Sequence, residues 1–265
     1  MKITLYKDER ALARALALQI ASTLEARPET VLGLPTGRTP IRLYHELGTL
    51  HAHRQADFSR ATTFNLDEFL GIGPDHAGSY RAFMEQHLFS RVNLSADRIN
   101  VLNGAAPDPE RECERYEAAI AAAGGIDLQL LGIGTNGHIG FNEPTSSFAS
   151  RTRIKTLAPQ TRADNARFFD SPEQVPTHCL TQGLGTILDA TTLVLVAQGE
   201  TKADAVAKMV EGPVSSMCPG SALQLHRDAN VIVDEAAASR LTLADYYRYT
   251  FANRPSWQRF ETPRG

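Results

Sequence analysis

Two stretches of the chain hold side chains that could move protons, and a third could hold an anion. In Thr63-Phe64-Asn65-Leu66-Asp67-Glu68-Phe69 two acids stand where an apolar run ends. Acids in such a place ordinarily face solvent or cap a following helix. The chemical alternative is that one of them is a general base beside a ligand crevice. If strand alternation persists, Glu68 points away from Asp67, so the chemistry is expected of Asp67 alone. In Leu131-Gly132-Ile133-Gly134-Thr135-Asn136-Gly137-His138-Ile139-Gly140-Phe141-Asn142-Glu143-Pro144 an amide, an imidazole and a carboxylate (Asn136, His138, Glu143) fall within eight residues. An imidazole with a carboxylate behind it is an acid/base unit, the acid orienting the ring and raising its pKa. In Leu34-Pro35-Thr36-Gly37-Arg38-Thr39-Pro40, Gly37 lets the backbone approach a ligand, and Pro40 suits the first turn of a helix. The free N–H groups of that turn would face an anion such as a phosphate.

Other chemistries fit these stretches poorly. Gly132 to Gly137 spells a dinucleotide-binding glycine pattern, but that site needs a helix opening there and an acid about 20 residues later. Gly140, Asn142 and Pro144 oppose a long helix, and the next strand pattern ends at Leu157 before Ala158-Pro159, with no acid. No nicotinamide cofactor is expected. The first loop lacks the Walker A spacing. The His-Glu-x-x-His spacing of zinc proteases is also absent, so no metal is expected.

The elements that must present these loops alternate. Strand patterns cover Lys2–Tyr6, Thr30–Leu34, Ala61–Leu66, Ile126–Leu131, Arg153–Leu157, Thr192–Val196 and Ala229–Val233. Helical patterns cover Glu9–Glu25, Thr39–Leu47, Ser79–Phe89, Glu110–Ala122 and Thr201–Val210. The alternation predicts an α/β fold: a mostly parallel central sheet with helices on both faces, a Rossmann-like three-layer sandwich. Ligands of such sheets sit beyond the carboxyl ends of the strands, here just after Leu34, Leu66 and Leu131.

With 265 residues, 42% hydrophobic and 22% charged, the chain reads as one globular domain over 1–265. The net charge of −3 offers no global field for nucleic acid or an anionic membrane, so an anionic substrate must be met locally. Charges interrupt the first ten residues too soon for a signal peptide, and no apolar run is long enough to span a bilayer. Cys113, Cys179 and Cys218 are far apart and odd in number, which argues against a disulfide framework. A reducing cytoplasm is the expected location.

Taken together, these tracts, with Ser146–Lys155, the run around Arg167 and Leu223–His226, resemble the glucosamine-6-phosphate deaminase family over nearly the whole chain. The resemblance implies isomerisation and deamination of glucosamine 6-phosphate to fructose 6-phosphate and ammonia, in N-acetylglucosamine catabolism. It makes Asp67 the base that moves the C2 proton and His138 the catalyst of ring opening, supported by Glu143 and position 136. Some members carry an acid there; Asn136 can orient the ring but adds no charge, which would shift the pH optimum. The resemblance also implies phosphate binding by Gly37, Arg38 and Thr39 with Arg167 and Lys202, and a lid at about 155–181. In regulated members the positions of Ser146, Arg153 and Lys155 bind N-acetylglucosamine 6-phosphate between subunits, so regulation would go with a homo-oligomer, a hexamer. The competing readings are a galactosamine-6-phosphate deaminase, a 6-phosphogluconolactonase and a non-catalytic sugar-phosphate sensor. The sensor has no need of both Asp67 and His138.

Overall fold

The computed structural model describes residues 1–166, 169 and 171–255. Its strands are β1 Lys2–Tyr6, β2 Val31–Leu34, β3 Thr62–Asn65, β4 Asp67–Phe69, β5 Ile99–Asn100, β6 Leu128–Leu131, β7 Arg153–Thr156, β8 His178–Thr181, β9 Thr192–Ala197 and β10 Ala229–Asp234. The α-helices are α1 Glu9–Ala26, α2 Ile41–Ala52, α3 Tyr80–His87, α4 Pro109–Ala122, α5 Pro159–Asn165, α6 Leu184–Leu188, α7 Ala203–Val210 and α8 Ala244–Ala252. Local chemistry starts several of them. Asp8 caps α1 by accepting from Ala11 N, Ser79 caps α3 through Ala82 N, and Asp108 caps α4 with Pro109 in its first turn.

Seven strands form one sheet in the order β1-β10-β9-β6-β2-β3-β5, every pair parallel. Alternate residues of each strand feed two separate cores, as the pleat requires. Leu32, Leu130, Val194 and Val196 pack with Leu12, Leu16, Leu43 and Leu47 of α1 and α2. Val31, Leu131, Leu193 and Leu195 pack with Tyr116 of α4, Ile187 of α6 and Met209 of α7. Helices therefore cover both faces, as the alternation of patterns predicts. In mid-sheet, Gly33 of β2 stands beside Gln129 of β6, and the Gln129 amide fills the place of a side chain: a Cβ on Gly33 would lie 2.1 Å from Gln129 Oε1.

The strand expected at Arg153–Leu157 does not join the main sheet. It is β7, the edge of a second, antiparallel sheet ordered β4-β8-β7. Its burial pattern explains the difference. The central main-sheet strands β2, β6, β9 and β10 are nearly fully buried, whereas Arg153–Thr156 is only half-buried and ends exposed. Phe69, Tyr80, Phe141, Leu157, Val175 and Cys179 form a third core around this small sheet. Among the described residues no helix is long and apolar enough to cross a membrane, and all three cysteines are free thiols.

Candidate active site

Three carboxyl ends of neighbouring strands supply the site. After β2 the chain turns through Gly37 at φ +93°, a conformation that favours glycine, in a place where a Cβ would touch nothing. Tyr44 Oη donates to Pro35 O (2.5 Å) and pins the base of this turn. No side chain caps α2, and its first N–H, that of Ile41, donates to Arg38 O (3.3 Å) within the turn. Arg38 is exposed and Thr39 half-buried. Lys202 lies in the 3₁₀ turn after β9, and its charge lowers the pKa of His138, which brings it into the same region. Arg167 lies outside the described residues.

After β3, Asp67 opens β4 opposite Thr181 of β8 and is only 6% exposed. Burial, and then the neighbouring Glu68 charge, push its carboxyl up to about 8. Glu68 is equally buried but has a different task. It accepts hydrogen bonds from Phe69 N (2.9 Å), Tyr80 N (3.0 Å) and Arg81 N (3.1 Å), tying β4 to the start of α3. Burial raises its pKa to about 7 while the three donors pull it down. Glu68 is thus occupied in capping the start of α3.

After β6 the glycine-rich loop folds back on itself. Gly137 takes φ +87° and Gly140 φ +54°. The His138 ring lies over Gly134, where a Cβ would come within 2.1 Å of it. His138 Nδ1 is 2.7 Å from Asn136 Oδ1, which also accepts from His138 N (3.2 Å). Asn136 Nδ2 donates to Glu143 Oε2 (2.7 Å). Thr161 Oγ1 of α5 donates to Glu143 Oε1 (2.5 Å). The amide orientation follows from chemistry: a carboxylate only accepts and a backbone N–H only donates, so Asn136 must turn its NH₂ to Glu143 and its oxygen to His138. An amide oxygen cannot donate, so Nδ1 carries the ring proton and Nε2 keeps its lone pair. Burial lowers the His138 pKa, Glu143 opposes this and Lys202 adds to it, which favours the neutral ring.

The loop that carries His138 meets Asp67 at Gly140, two residues beyond the imidazole. A Cβ placed on Gly140 would lie 3.1 Å from Thr181 Oγ1, 3.5 Å from Asn142 Nδ2 and 3.6 Å from Asp67 Oδ2. The loop that carries the imidazole therefore runs directly against the Asp67 carboxyl. Phe141 N donates to Thr181 Oγ1 (3.1 Å) and fastens it there.

Ser146 follows this loop directly, its N–H donating to Glu143 O (3.1 Å), and Arg153 pairs with Thr181 across β7 and β8. Ser146 is buried on the turn after Glu143, and its hydroxyl has no hydrogen-bond partner among the described residues. Arg153 and Lys155 share one face of the edge strand β7; burial lowers the Arg153 pKa, and its Nη1 donates to Arg151 O (3.3 Å). No group of three or more His, Cys, Asp or Glu side chains is placed to hold a metal among the described residues. An open groove of about 1090 Å³ runs beside α3 and is lined by Glu68, Arg81, Glu85 and Leu102. Neither Asp67 nor His138 lines it, so the groove is not where the chemistry converges.

Two contributors escape a reading of the sequence. Thr161 completes the His138 relay from α5, and its only signal is a hydroxyl just inside a Pro-initiated helix. Tyr80 is buried in the field of Asp67 and Glu68, and its Oη donates to Asn165 Oδ1 of α5 (3.4 Å). An aromatic at the start of an amphipathic helix gives no such hint.

Residues 7–233 match the family model described as glucosamine-6-phosphate isomerases/6-phosphogluconolactonase. The chain is 53% identical over 259 residues to a glucosamine-6-phosphate deaminase of Streptomyces avermitilis, covering 97% of this chain and 99% of that one. A second glucosamine-6-phosphate deaminase, from Rhodococcus jostii, is 51% identical over 260 residues, covering 98% and 100%. A solved monomeric glucosamine-6-phosphate deaminase superposes with a TM-score of 0.88 at 44% identity, covering 91% of this chain and all of that one. The 6-phosphogluconolactonase of Thermotoga maritima, at 18% identity and a TM-score of 0.68 with 88% and 98% covered, shares the fold alone.

Proposed function

The chain belongs to the family of glucosamine-6-phosphate isomerases and 6-phosphogluconolactonases, and from that membership we propose that it is a glucosamine-6-phosphate deaminase working through Asp67 and His138. The relatives at 50% identity and above are named as deaminases, whereas the lactonase likeness is one of fold. The reaction adds water to glucosamine 6-phosphate and releases fructose 6-phosphate and ammonia.

The phosphate is held by the N–H groups of the Gly37–Thr39 turn and the start of α2, with Lys202 and Arg167 supplying charge and Arg38 at the rim. The Nε2 lone pair of His138 takes the anomeric hydroxyl proton and returns it to the ring oxygen, which opens the pyranose. Asn136 and Glu143 hold the ring in the tautomer that permits this. Asp67 then removes the C2 proton and delivers one to C1. The enol-amine becomes a ketose imine, which water hydrolyses. A carboxyl near 8 suits a base at neutral pH, and an ammonium at C2 arriving beside Asp67 would favour its ionised form. The excursion between β7 and β8, within about 155–181, is read as the lid over the open-chain sugar.

The convergence of Asp67 Oδ2 and the His138 loop at Gly140 carries this reading. It is tested by ammonia release from glucosamine 6-phosphate and galactosamine 6-phosphate, with and without N-acetylglucosamine 6-phosphate. Ammonia and fructose 6-phosphate from the gluco substrate are expected; neither product from either sugar would overturn the reading. We further place the reaction in the cytoplasm, consistent with three free thiols. We also read Ser146, Arg153 and Lys155 as an effector site for N-acetylglucosamine 6-phosphate, whose use would require a homo-oligomer. Activation in that assay arm, with sedimentation as a hexamer, is the outcome that reading expects.

A further inference from the structure

The mechanism above uses Asp67 and His138 but not the fully buried amides that lie between their loops. Gln182 directly follows β8 and is fully buried. Its N–H donates to Leu66 O (2.8 Å) and its Nε2 to Asn65 O (3.1 Å). Those two residues lead straight into Asp67. Its carbonyl accepts from Asn142 Nδ2 (2.8 Å), and the same NH₂ donates to Ile139 O (2.9 Å), next to His138. One residue therefore grips the loop of the carboxylate on one side and the loop of the imidazole on the other.

These side chains leave acceptors unsatisfied inside the core. Gln182 Oε1 and Asn142 Oδ1 are both buried without a hydrogen-bond partner among the described residues. Leaving an acceptor unsatisfied is unfavourable, and an apolar side chain of similar shape would avoid it. Residues that break a local stability rule are expected where function demands them.

We propose that Gln182, working through Asn142, is a positioning residue for the deamination: it locks the Asp67 carboxyl and the His138 ring into one frame so that both address the same sugar. The proposal rests on the deaminase reading of the site. Both amides are buried, so they act through the loops they tie together.

The test compares wild type with Gln182→Met, which keeps the side-chain volume and the backbone bonds but removes the donor to Asn65 O. Asn142→Leu and the double variant complete a cycle. Steady-state kinetics on glucosamine 6-phosphate and thermal melting are measured for each. Gln182→Met is expected to melt at or above the wild-type temperature, to keep KM within about threefold and to lose at least about tenfold in kcat, as sub-ångström misplacement of reacting groups does. The double variant is expected to fall no further than about the worse single one, because both cut the same link. Gln182→Asn, one methylene short of Asn65 O, is expected to show the same kcat loss and replaces Gln182→Met if that variant does not fold. A kcat within about twofold of wild type, a loss that tracks a falling melting temperature, or fully multiplicative losses would overturn the proposal. If the wild type is active and Gln182→Met equally so, this proposal alone fails; if the wild type releases no ammonia, the deaminase reading fails first and takes the proposal with it.

Discussion

Asp67 is held against the preference of its own charge. Its folded pKa of about 8 lies above the unfolded value near 4, so the native state binds its proton more tightly than the unfolded one. That contribution is fully present below about pH 4 and is lost as pH rises towards 8. Asp67→Asn removes the group that drives the loss. The variant is expected to match wild-type stability near pH 4 and to exceed it at pH 9 by at least about 1 kcal/mol, or about 2–4 °C in melting temperature. It should also abolish C2 proton exchange while binding substrate; solvent deuterium entering the sugar at the wild-type rate would refute the assigned base. Asn136 is the group that meets His138 at Nδ1. Asn136→Asp places an anion at Nδ1 and should raise the His138 pKa, moving the acid limb of kcat/KM up by about one pH unit. A limb that moved down, or stayed, would show that the ring is not governed from that side. At this scale the sequence already betrays Asp67, His138 and Glu143, because acids and an imidazole among glycines at strand ends are costly to place without use. It does not betray Thr161, Tyr80 or Gln182. Hydroxyls and amides are common, and their meaning here comes from contacts made far along the chain.

Among the elements, α5 matters most to the hydrogen-bond chain behind His138. It sits between β7 and β8 and reaches Glu143 through Thr161. Thr161→Val keeps the shape and removes that donor. A hydrogen bond to a charged group contributes about 1.5–3 kcal/mol, so kcat on closed-ring substrate should fall about tenfold or more. An open-chain analogue, which bypasses His138, should be turned over at nearly the wild-type rate; equal loss on both would place Thr161 outside the ring-opening step. Most long strands and helices were readable from periodicity within a residue or two, since continuous apolar runs admit few alternatives, but α2 runs five residues beyond its expected end at Leu47 and α8 was not foreseen. β4, β8 and β5, of three, four and two residues, were not. Such short strands exist only through their partners: β4 carries two acids and would be a loop without β8 beside it.

For the whole molecule, the parallel sheet separates two cores, and its tightest place is the Gly33–Gln129 pair. Gly33→Ala drives a methyl into a fully buried amide and should cost about 2 kcal/mol, lowering the melting temperature by about 4–8 °C. Gln129→Ala in the same chain should recover most of it, whereas additive losses would deny the interlock. The second sheet has a different consequence. The base is carried on β4, and the chain between β7 and β8 leaves and re-enters the same three strands. On the proposed reading of 155–181 as a lid, door and bolt hang on one frame: a shift that swung the cover over a captured sugar would be felt by the strand that holds the carboxyl. Mutations at the hinge ends, far from any reacting atom, will show themselves as faulty proton transfer as well as loose capture.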